Sequence, residues 1–438
     1  MNQPVKSEAK GHTRNKSSTS RTSRPRASTK GPLDVDDDPL STPGTPSASH
    51  GSPNPSLRRP PASPRARPTA SSPVSQIGEP QRKDFSFLMR AEIYHPLTPL
   101  NVPLAFRSAP GQPDPRGRPE DLLARGHFRA AAIAAVQELT GSGGSRPSVD
   151  PRDTRRIFDL LYTRLACLTL IDATPLAAQE VKALEDLASV RTYVDDATGE
   201  HLVPWELRVL NVRLQALGFG DPRRAVMSYH DLGREARERI ATAAARHAHS
   251  ETELWKARLQ ELGIKVAGAL VDMDDLPGAA HQLRSLRGHG DARLELARAL
   301  LWLQLGDAES AKECARRCEK DVGTTDGIIL ALCDMAEADY EAALARWQAL
   351  RSGLDDEMVS VNAATCLLYL GRIVEGRDIL EGLVDKGYSS HTLLFNLSTM
   401  YELCTDKNKP LKVKLTERVA AMEESPAGWE RTNADFKL

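Results

Sequence analysis

Cys314 and Cys318 stand four residues apart in this 438-residue chain, a spacing that could supply two ligands to a metal ion. In a helix both thiols would lie on one face. A structural zinc site needs four Cys or His ligands, and no second pair lies nearby in the sequence. Because Ala311 and Ala315 mark the same face as a helix–helix contact, we interpret the two cysteines as packed core thiols.

Motifs for catalysis are absent from the sequence. It contains no GxxxxGK[ST] phosphate loop, no HExxH, no GxSxG and no CxxC pair. The glycine-rich GSGGSRP from Gly141 lacks both the lysine and the preceding strand of a phosphate loop, so it is interpreted as a surface connector. His247 and His249 fall on different faces of any helix. We therefore predict no enzyme activity, no metal site and no cofactor.

Asn362 is the residue with the clearest analogy to a peptide-binding site. An Asn also occurs at the matching helix position in a clamp with which some helical-repeat proteins grip a C-terminal carboxylate of heat-shock chaperones. Such a clamp needs Lys or Arg side chains on the corresponding helices of the preceding and following repeats, to pair with the carboxylate. Neither GIILALCDMAE nor LLFNLSTMYEL contains a Lys or Arg, so no clamp is predicted.

The elements that hold these residues are indicated by a repeat of 34 residues, which relates VNAATCLLYLG from Val361 to FNLSTMYELCT from Phe395. The tetratricopeptide (TPR) repeat has this period, and each unit is an antiparallel helix pair. In such a unit a turn former between the helices is followed five residues later by a small residue. That order recurs after Gly126, Gly220, Asp274, Gly306, Ala338 and Gly371. We predict an all-α fold, a TPR-type α-solenoid of antiparallel helix pairs over residues 119–424, most regular over 265–420.

Other stretches fit this pattern less well. A further unit is predicted from Tyr162, and residues 141–152 are predicted to form a loop. The long interval from Gly220 to Asp274 is interpreted as one unit whose second helix is lengthened through Glu238 to Lys256. The sequence leaves the register of the repeats between 141 and 265 open.

Arg298 and Asp334 fall at positions that the repeat pattern would bury. Either the register slips by one residue there, or the helices that carry them are irregular.

The ends of the chain differ in composition from its middle. Residues 1–83 contain no Phe, Tyr, Trp or Cys, and they hold 14 of the 29 prolines. This stretch has 14 basic and 6 acidic residues, which leaves 44 basic and 53 acidic residues in the remainder. We predict a disordered Ser/Pro/Arg-rich tail over 1–83, because so little apolar surface cannot offset the entropy of ordering.

Residues 84–118 are apolar but interrupted by prolines. Pro96, Pro99 and Pro103 exclude a continuous helix and favour an extended docking segment. This segment either packs on the solenoid's own surface, the interpretation we favour, or docks on a partner. Residues 425–438 are predicted as a C-terminal tail.

The sequence favours a cytoplasmic protein. Its longest apolar runs, such as IILAL, are far shorter than the ~18 residues of a membrane span, and no apolar signal region begins the chain. Six dispersed cysteines are typical of reduced thiols. The basic tail lacks interleaved aromatic residues, so nucleic-acid binding is not predicted.

The first helices of TPR units line a concave groove, which gives a candidate partner-binding surface. On the two best-matching units its residues are Thr365, Leu368, Tyr369, Thr399, Glu402 and Leu403. The alternative is that these residues merely pack adjacent repeats together.

VNAATCLLYLGRIVEGRDILEGLV followed by HTLLFNLSTMYEL resembles the C-terminal TPR region of subunit 12 of the transport protein particle (TRAPP) complex. The order of a long N-terminal tail, a short segment such as PLTPLNVPLAF and a TPR solenoid is also similar to that family. The closest match covers about 45 residues.

The resemblance implies a non-catalytic scaffold subunit of a TRAPP-type vesicle-tethering complex, in which other subunits exchange nucleotide on a Rab GTPase. It implies a role in ER-to-Golgi transport and autophagy. The implied partners are other TRAPP subunits, the large subunit 11 first and small core subunits next. The complex would then bring the chain to ER–Golgi intermediate or Golgi membranes peripherally. A generic TPR adaptor or co-chaperone is the alternative.

Overall fold

A computed structural model describes residues 83–114, 117–144, 148–286, 291–318, 324–353 and 355–438. The tail predicted over 1–83 lies outside these ranges except for Lys83. Within them the chain forms helices and contains no β-strand; one isolated bridge joins Val194 and His201. The predicted all-α fold class is therefore confirmed.

The first part of the described chain contains short helices and one long hairpin. Three 3-10 turns cover Ser86–Met89, Ala91–Ile93 and Val181–Leu184. The α-helices are α1 (Leu104–Arg107), α2 (Pro119–Ala124), α3 (Phe128–Thr140), α4 (Thr154–Leu170), α5 (Thr174–Glu180), α6 (Val190–Tyr193), α7 (Trp205–Phe219), α8 (Pro222–Ala245) and α9 (His249–Asp272).

The second part continues as regular helix pairs. Its helices are α10 (Leu276–Ser285), α11 (Ala292–Gln304), α12 (Ala308–Arg317), α13 (Thr325–Ala336), α14 (Tyr340–Arg351), α15 (Glu357–Tyr369), α16 (Ile373–Asp385), α17 (His391–Cys404) and α18 (Asn408–Ala420). We call α2, α4, α7, α9, α11, α13, α15 and α17 first helices, and each is followed by the second helix of its pair.

The predicted turn positions are confirmed by the backbone. All six have the left-handed conformation that ends a helix, with φ between 60° and 78°: Gly126, Gly220, Asp274, Gly306, Ala338 and Gly371. Asp275, Asp307 and Asp339 directly follow three of these turns, and each carboxylate caps the next helix. The polar cap and the left-handed residue together define where one helix ends and the next begins.

The small residues five positions after these turns lie where two helices meet. Ala131, Ala279, Ala311 and Ala343 are fully buried. At Gly376 an added Cβ would lie 2.9 Å from the Ala364 carbonyl oxygen, closer than side chains approach. Small side chains at these positions therefore allow the helices of a pair to pack closely.

The single lengthened helix predicted through Glu238–Lys256 is wrong. The helix ends at Ala245, His247 takes a left-handed φ of 57°, and α9 begins at His249. The Ala248 N–H donates to the Ala243 carbonyl at 2.9 Å, which closes the turn. No Gly or Pro marks this turn in the sequence, and two 24-residue helices result.

Neither a slip of the register nor an irregular helix is needed to explain the positions of Arg298 and Asp334. Both residues lie on regular helices. Arg298 is buried and donates to Glu295, also buried, at 2.9 Å. Asp334 accepts from Arg346 at 2.5 Å. The charges occupy inward positions because neighbouring side chains neutralise them.

The described residues of the N-terminal segment, 84–114 and 117–118, pack against the helices that follow them. Phe85 is fully buried, with its ring centroid 5.0 Å from that of Phe158. Further along, Phe106 is fully buried beside Trp429. The path is not extended throughout, because two 3-10 turns form before Pro96 and α1 begins directly after Pro103.

The C-terminal segment, residues 425–438, also joins the core. Trp429 and Phe436 are buried, 5.4 and 6.2 Å from the ring of Phe106. The Trp429 N–H donates to the Gly126 carbonyl at 3.2 Å, and His127 contacts Glu424 at 3.0 Å. This segment therefore links the first helix pair to the last one.

Candidate partner-binding surface

The six residues predicted to contact a partner lie at or near the surface of α15 and α17, with unequal accessibility. Thr365 and Thr399 are half-buried, and their hydroxyls donate to carbonyls of their own helices at 2.9 and 2.8 Å. Leu368 packs against the core of the last repeats. These three side chains mainly support the helices.

Tyr369 and Leu403 are the exposed hydrophobic members of the set. Tyr369 is 63% exposed, and its ring stacks on that of Tyr340 with centroids 4.4 Å apart and an angle of 2°. Leu403 is 57% exposed. A stacked aromatic pair presents a rigid apolar surface, a feature common at protein contacts.

Glu402 is held by the chain's own C-terminal segment. Its carboxylate accepts from Lys412 at 2.6 Å and from Lys437. These hydrogen bonds, that from Lys412 first, hold the pKa of Glu402 below its usual 4.5. Lys437 also donates to Thr399 at 3.2 Å and lies over the Phe395 ring. Lys437 therefore contacts this end of α17 from within the same chain.

A groove that sequence reasoning missed runs along α4, α7, α9 and α11. It consists of two adjoining cavities of about 720 and 620 Å³. Arg213, Tyr229 and Lys265 line both cavities. We call the two cavities together the central groove. The prediction of a single helix through Glu238–Lys256 did not place α9 correctly. The groove that α9 lines could therefore not be predicted from the sequence.

Asn362 lies between two first helices that lack the cations of a carboxylate clamp. Its side-chain amide donates to the Met358 sulfur at 3.1 Å. The neighbouring first helices α13 and α17 carry no Lys or Arg. A peptide carboxylate at Asn362 would have no cation on these helices to pair with.

Cys314 and Cys318, which the sequence predicts to be packed core thiols, are packing residues in the structure. Cys314 is fully buried, and burial raises the pKa of its thiol to about 11. Cys318 is half-buried, and its pKa is also raised by burial. Among the described residues, no group of three or more His, Cys, Asp or Glu side chains could hold a metal ion.

No helix in the described part of the chain is both long and apolar enough to cross a bilayer.

The helix pairs, their left-handed turns and the buried small residues define a TPR-type helical repeat protein. No family model matches the chain. Over 340 residues it is 24% identical to trafficking protein particle complex subunit 12 of Mus musculus and, equally, to that of Homo sapiens. The predicted resemblance to TRAPP subunit 12 is confirmed.

These matches cover 69% of this chain, 42% of the mouse protein and 46% of the human one. The chain thus spans less than half the length of the curated relatives it matches. Among solved structures it matches the TPR domain of P58(IPK), with 12% identity, 69% coverage of this chain and 90% of that one. The TM-score is 0.19, too low to support an argument about helix arrangement.

Proposed function

We propose that this chain is a non-catalytic scaffold subunit of a TRAPP-type vesicle-tethering complex. The observation that carries the proposal is the 340-residue similarity to trafficking protein particle complex subunit 12, which covers 69% of this chain. In this proposal other subunits exchange nucleotide on a Rab GTPase, while this chain holds proteins together. The cellular role is ER-to-Golgi transport and autophagy.

The proposed partners are other TRAPP subunits, the large subunit 11 first and the small core subunits next. Membrane association, at the ER–Golgi intermediate compartment or the Golgi, is peripheral and depends on the complex. Tyr369 and Leu403 are the two most exposed large hydrophobic residues of α15 and α17 and are proposed to contribute to these contacts.

Purification of the tagged chain from its own cells tests this proposal. We expect stoichiometric recovery of TRAPP subunits, including subunit 11, and no Rab nucleotide exchange by the isolated chain. A stable set of partners without TRAPP subunits would contradict the proposal and favour the generic adaptor. Exchange activity of the isolated chain would contradict its non-catalytic role.

A pair of matched variants tests the proposed surface. Tyr369→Ser with Leu403→Ser should reduce recovery of at least one partner. Val374→Ser should not, because Val374 is similarly exposed but lies on the second helix α16. Equal recovery with both variants would place the contact elsewhere.

A further inference from the structure

One side of α18, the last helix of the described chain, borders an open apolar cavity of about 530 Å³. The cavity separates α18 from the short helix α1. Several of its apolar side chains are strongly exposed: Leu104 of α1 is 75% exposed, Val413 of α18 is 48% exposed and Leu438 is 54% exposed. In a helical repeat array each pair buries its apolar surface against the next pair. This side of α18 has no following pair among the described residues.

The charged residues on this side of α18 also lack partners. Glu417 lines the cavity four residues after Val413, and Lys409 precedes Val413 by four residues. Both charged side chains are exposed, and neither forms an ion pair or a hydrogen bond with the residues that the structure describes. Residues four apart lie on the same side of a helix. Lys409, Val413 and Glu417 therefore form one stripe, which we call the α18 stripe.

The order of residues in the α18 stripe is self-complementary. Consider two copies of α18 that pack antiparallel, with a twofold axis at Val413. The residue four positions before Val413 in one copy then faces the residue four positions after it in the other. Lys409 of each copy meets Glu417 of the other, and the two Val413 side chains meet at the axis. A single stripe thus supplies two opposite-charge pairs and an apolar contact between them.

Small side chains leave room for a second helix beside the stripe. Ala420 and Ala421 line the cavity on α18, and Ala105 and Ala109 line it from the N-terminal segment. Helices approach most closely where the side chains between them are small. The exposed Leu104 offers additional apolar surface to a helix that lies in this cavity.

Other occupants fit the cavity less well than a second copy. Residues 1–83 of the chain contain no Phe, Tyr or Trp, so they offer little apolar surface to fill it. A protein of different sequence would need a basic and an acidic residue placed on either side of an apolar one at matching distances. A second copy supplies this arrangement by symmetry.

We propose that the α18 stripe is an interface between two copies of this chain. The two α18 helices pack antiparallel about Val413, and Lys409 of each copy pairs with Glu417 of the other. A contact made mainly by one helix of each copy is small, so we expect a dissociation constant of about 1–100 µM. This inference does not depend on which complex contains the chain.

Sedimentation equilibrium of the purified full chain tests the inference at concentrations from about 1 to 300 µM. We expect the average mass to rise from 47.9 kDa, the mass of one chain, towards twice that value. Glu417→Lys replaces both ion pairs by Lys–Lys contacts, and Lys409→Glu replaces them by Glu–Glu contacts. Each variant alone should raise the dissociation constant at least about tenfold, because like charges then face each other.

An equimolar mixture of the two single variants tests the antiparallel register. Lys409→Glu in one copy and Glu417→Lys in the other restore two opposite-charge contacts, so the mixture should dimerise like the unaltered chain. Recovery in the mixture also shows that both variants are folded. Glu238→Lys is the matched control, because Glu238 is exposed in the middle of α8, and it should not change dimerisation.

A monomer at every concentration would overturn the proposal. A dimer that neither charge reversal weakens would also overturn it, because the contact would then lie elsewhere on the chain. The same holds if the mixture of folded single variants fails to dimerise.

Discussion

Arg164 and Glu180 are charged residues that the fold removes almost entirely from water. Glu180 accepts from Arg164 at 2.9 and 2.6 Å and from the His95 N–H at 2.8 Å. Arg164 also donates to the His95 carbonyl at 2.7 Å. The pair therefore fastens the N-terminal segment at His95 to α4 and α5. Each of the two buried charges is neutralised only while the other residue is present.

Arg164→Met should destabilise the chain by about 3–5 kcal/mol, because it leaves the Glu180 carboxylate buried without its cation. Urea unfolding followed by circular dichroism measures the loss. Arg155→Met, exposed on the same helix, should change stability by less than about 0.5 kcal/mol. The double variant Arg164→Met, Glu180→Leu should recover part of the loss. A single-variant effect below about 1 kcal/mol would contradict the assignment.

His201 makes stability depend on pH. Its Nδ1 accepts from the Val203 N–H and its Nε2 donates to the Leu187 carbonyl, both at 3.0 Å. This arrangement needs the neutral ring. Burial, followed by the charge of Arg208, lowers the pKa of His201 from its usual 6.5. The unfolded chain therefore takes up the proton at higher pH than the folded one.

The resulting stabilisation should be complete above about pH 6.5 and decline as pH falls through the lowered pKa. Urea unfolding at about pH 7.5 and about pH 5.5 measures this decline. Comparison with His201→Gln separates the effect of this ring from that of other histidines. The same pH dependence in both proteins would show that His201 does not contribute.

Two tyrosines on adjacent first helices, Tyr401 on α17 and Tyr369 on α15, allow the predicted register of the repeats to be tested. Tyr401 is 4% exposed, and its hydroxyl donates to Glu381 at 3.0 Å. Tyr369 on α15 is 63% exposed and contacts Tyr340. Two tyrosines of adjacent first helices thus differ in burial.

Tyr401→Ala should cost on the order of 3–5 kcal/mol, because it removes a buried ring between repeats. Tyr369→Ala should cost no more than about 1.5 kcal/mol, the value of a surface aromatic pair. Thermal and urea unfolding of the two variants gives the comparison. Similar losses for both would mean that the assigned register is wrong.

Contacts between the first and last helix pairs are the main feature at the scale of the whole described chain. Trp429 packs on Phe106 and on His127, with centroids 5.4 Å apart in each case. Glu430 also pairs with Arg129 of α3. In a simple repeat array each unit contacts only its neighbours. Here the C-terminal segment adds a contact between units far apart in sequence.

Trp429→Ala should therefore loosen α2 and α3, about 300 residues away in sequence. Hydrogen exchange measured by mass spectrometry should show at least about tenfold faster exchange in these helices. Leu411→Ala, partly exposed on α18, should leave α2 and α3 unchanged. Faster exchange confined to α17 and α18 in the Trp429 variant would contradict the link.

The sequence by itself determined the all-α repeat fold, six turn positions and the small residues between paired helices. These features follow from local chemistry: a residue that tolerates left-handed φ, an Asp that caps the next helix, and an alanine or glycine where helices meet. The turn at His247 escaped prediction, since neither Gly nor Pro marks it.

Only the tertiary structure shows which residues of the predicted surface are free to contact a partner. Lys437 donates hydrogen bonds to Glu402 and Thr399, while Arg213, Tyr229 and Lys265, from three different helices, line the same cavities. Contacts between residues distant in the chain leave no periodic pattern in the sequence. Burial of Arg298 likewise depended on Glu295 being beside it, because a charge enters a core only with its partner.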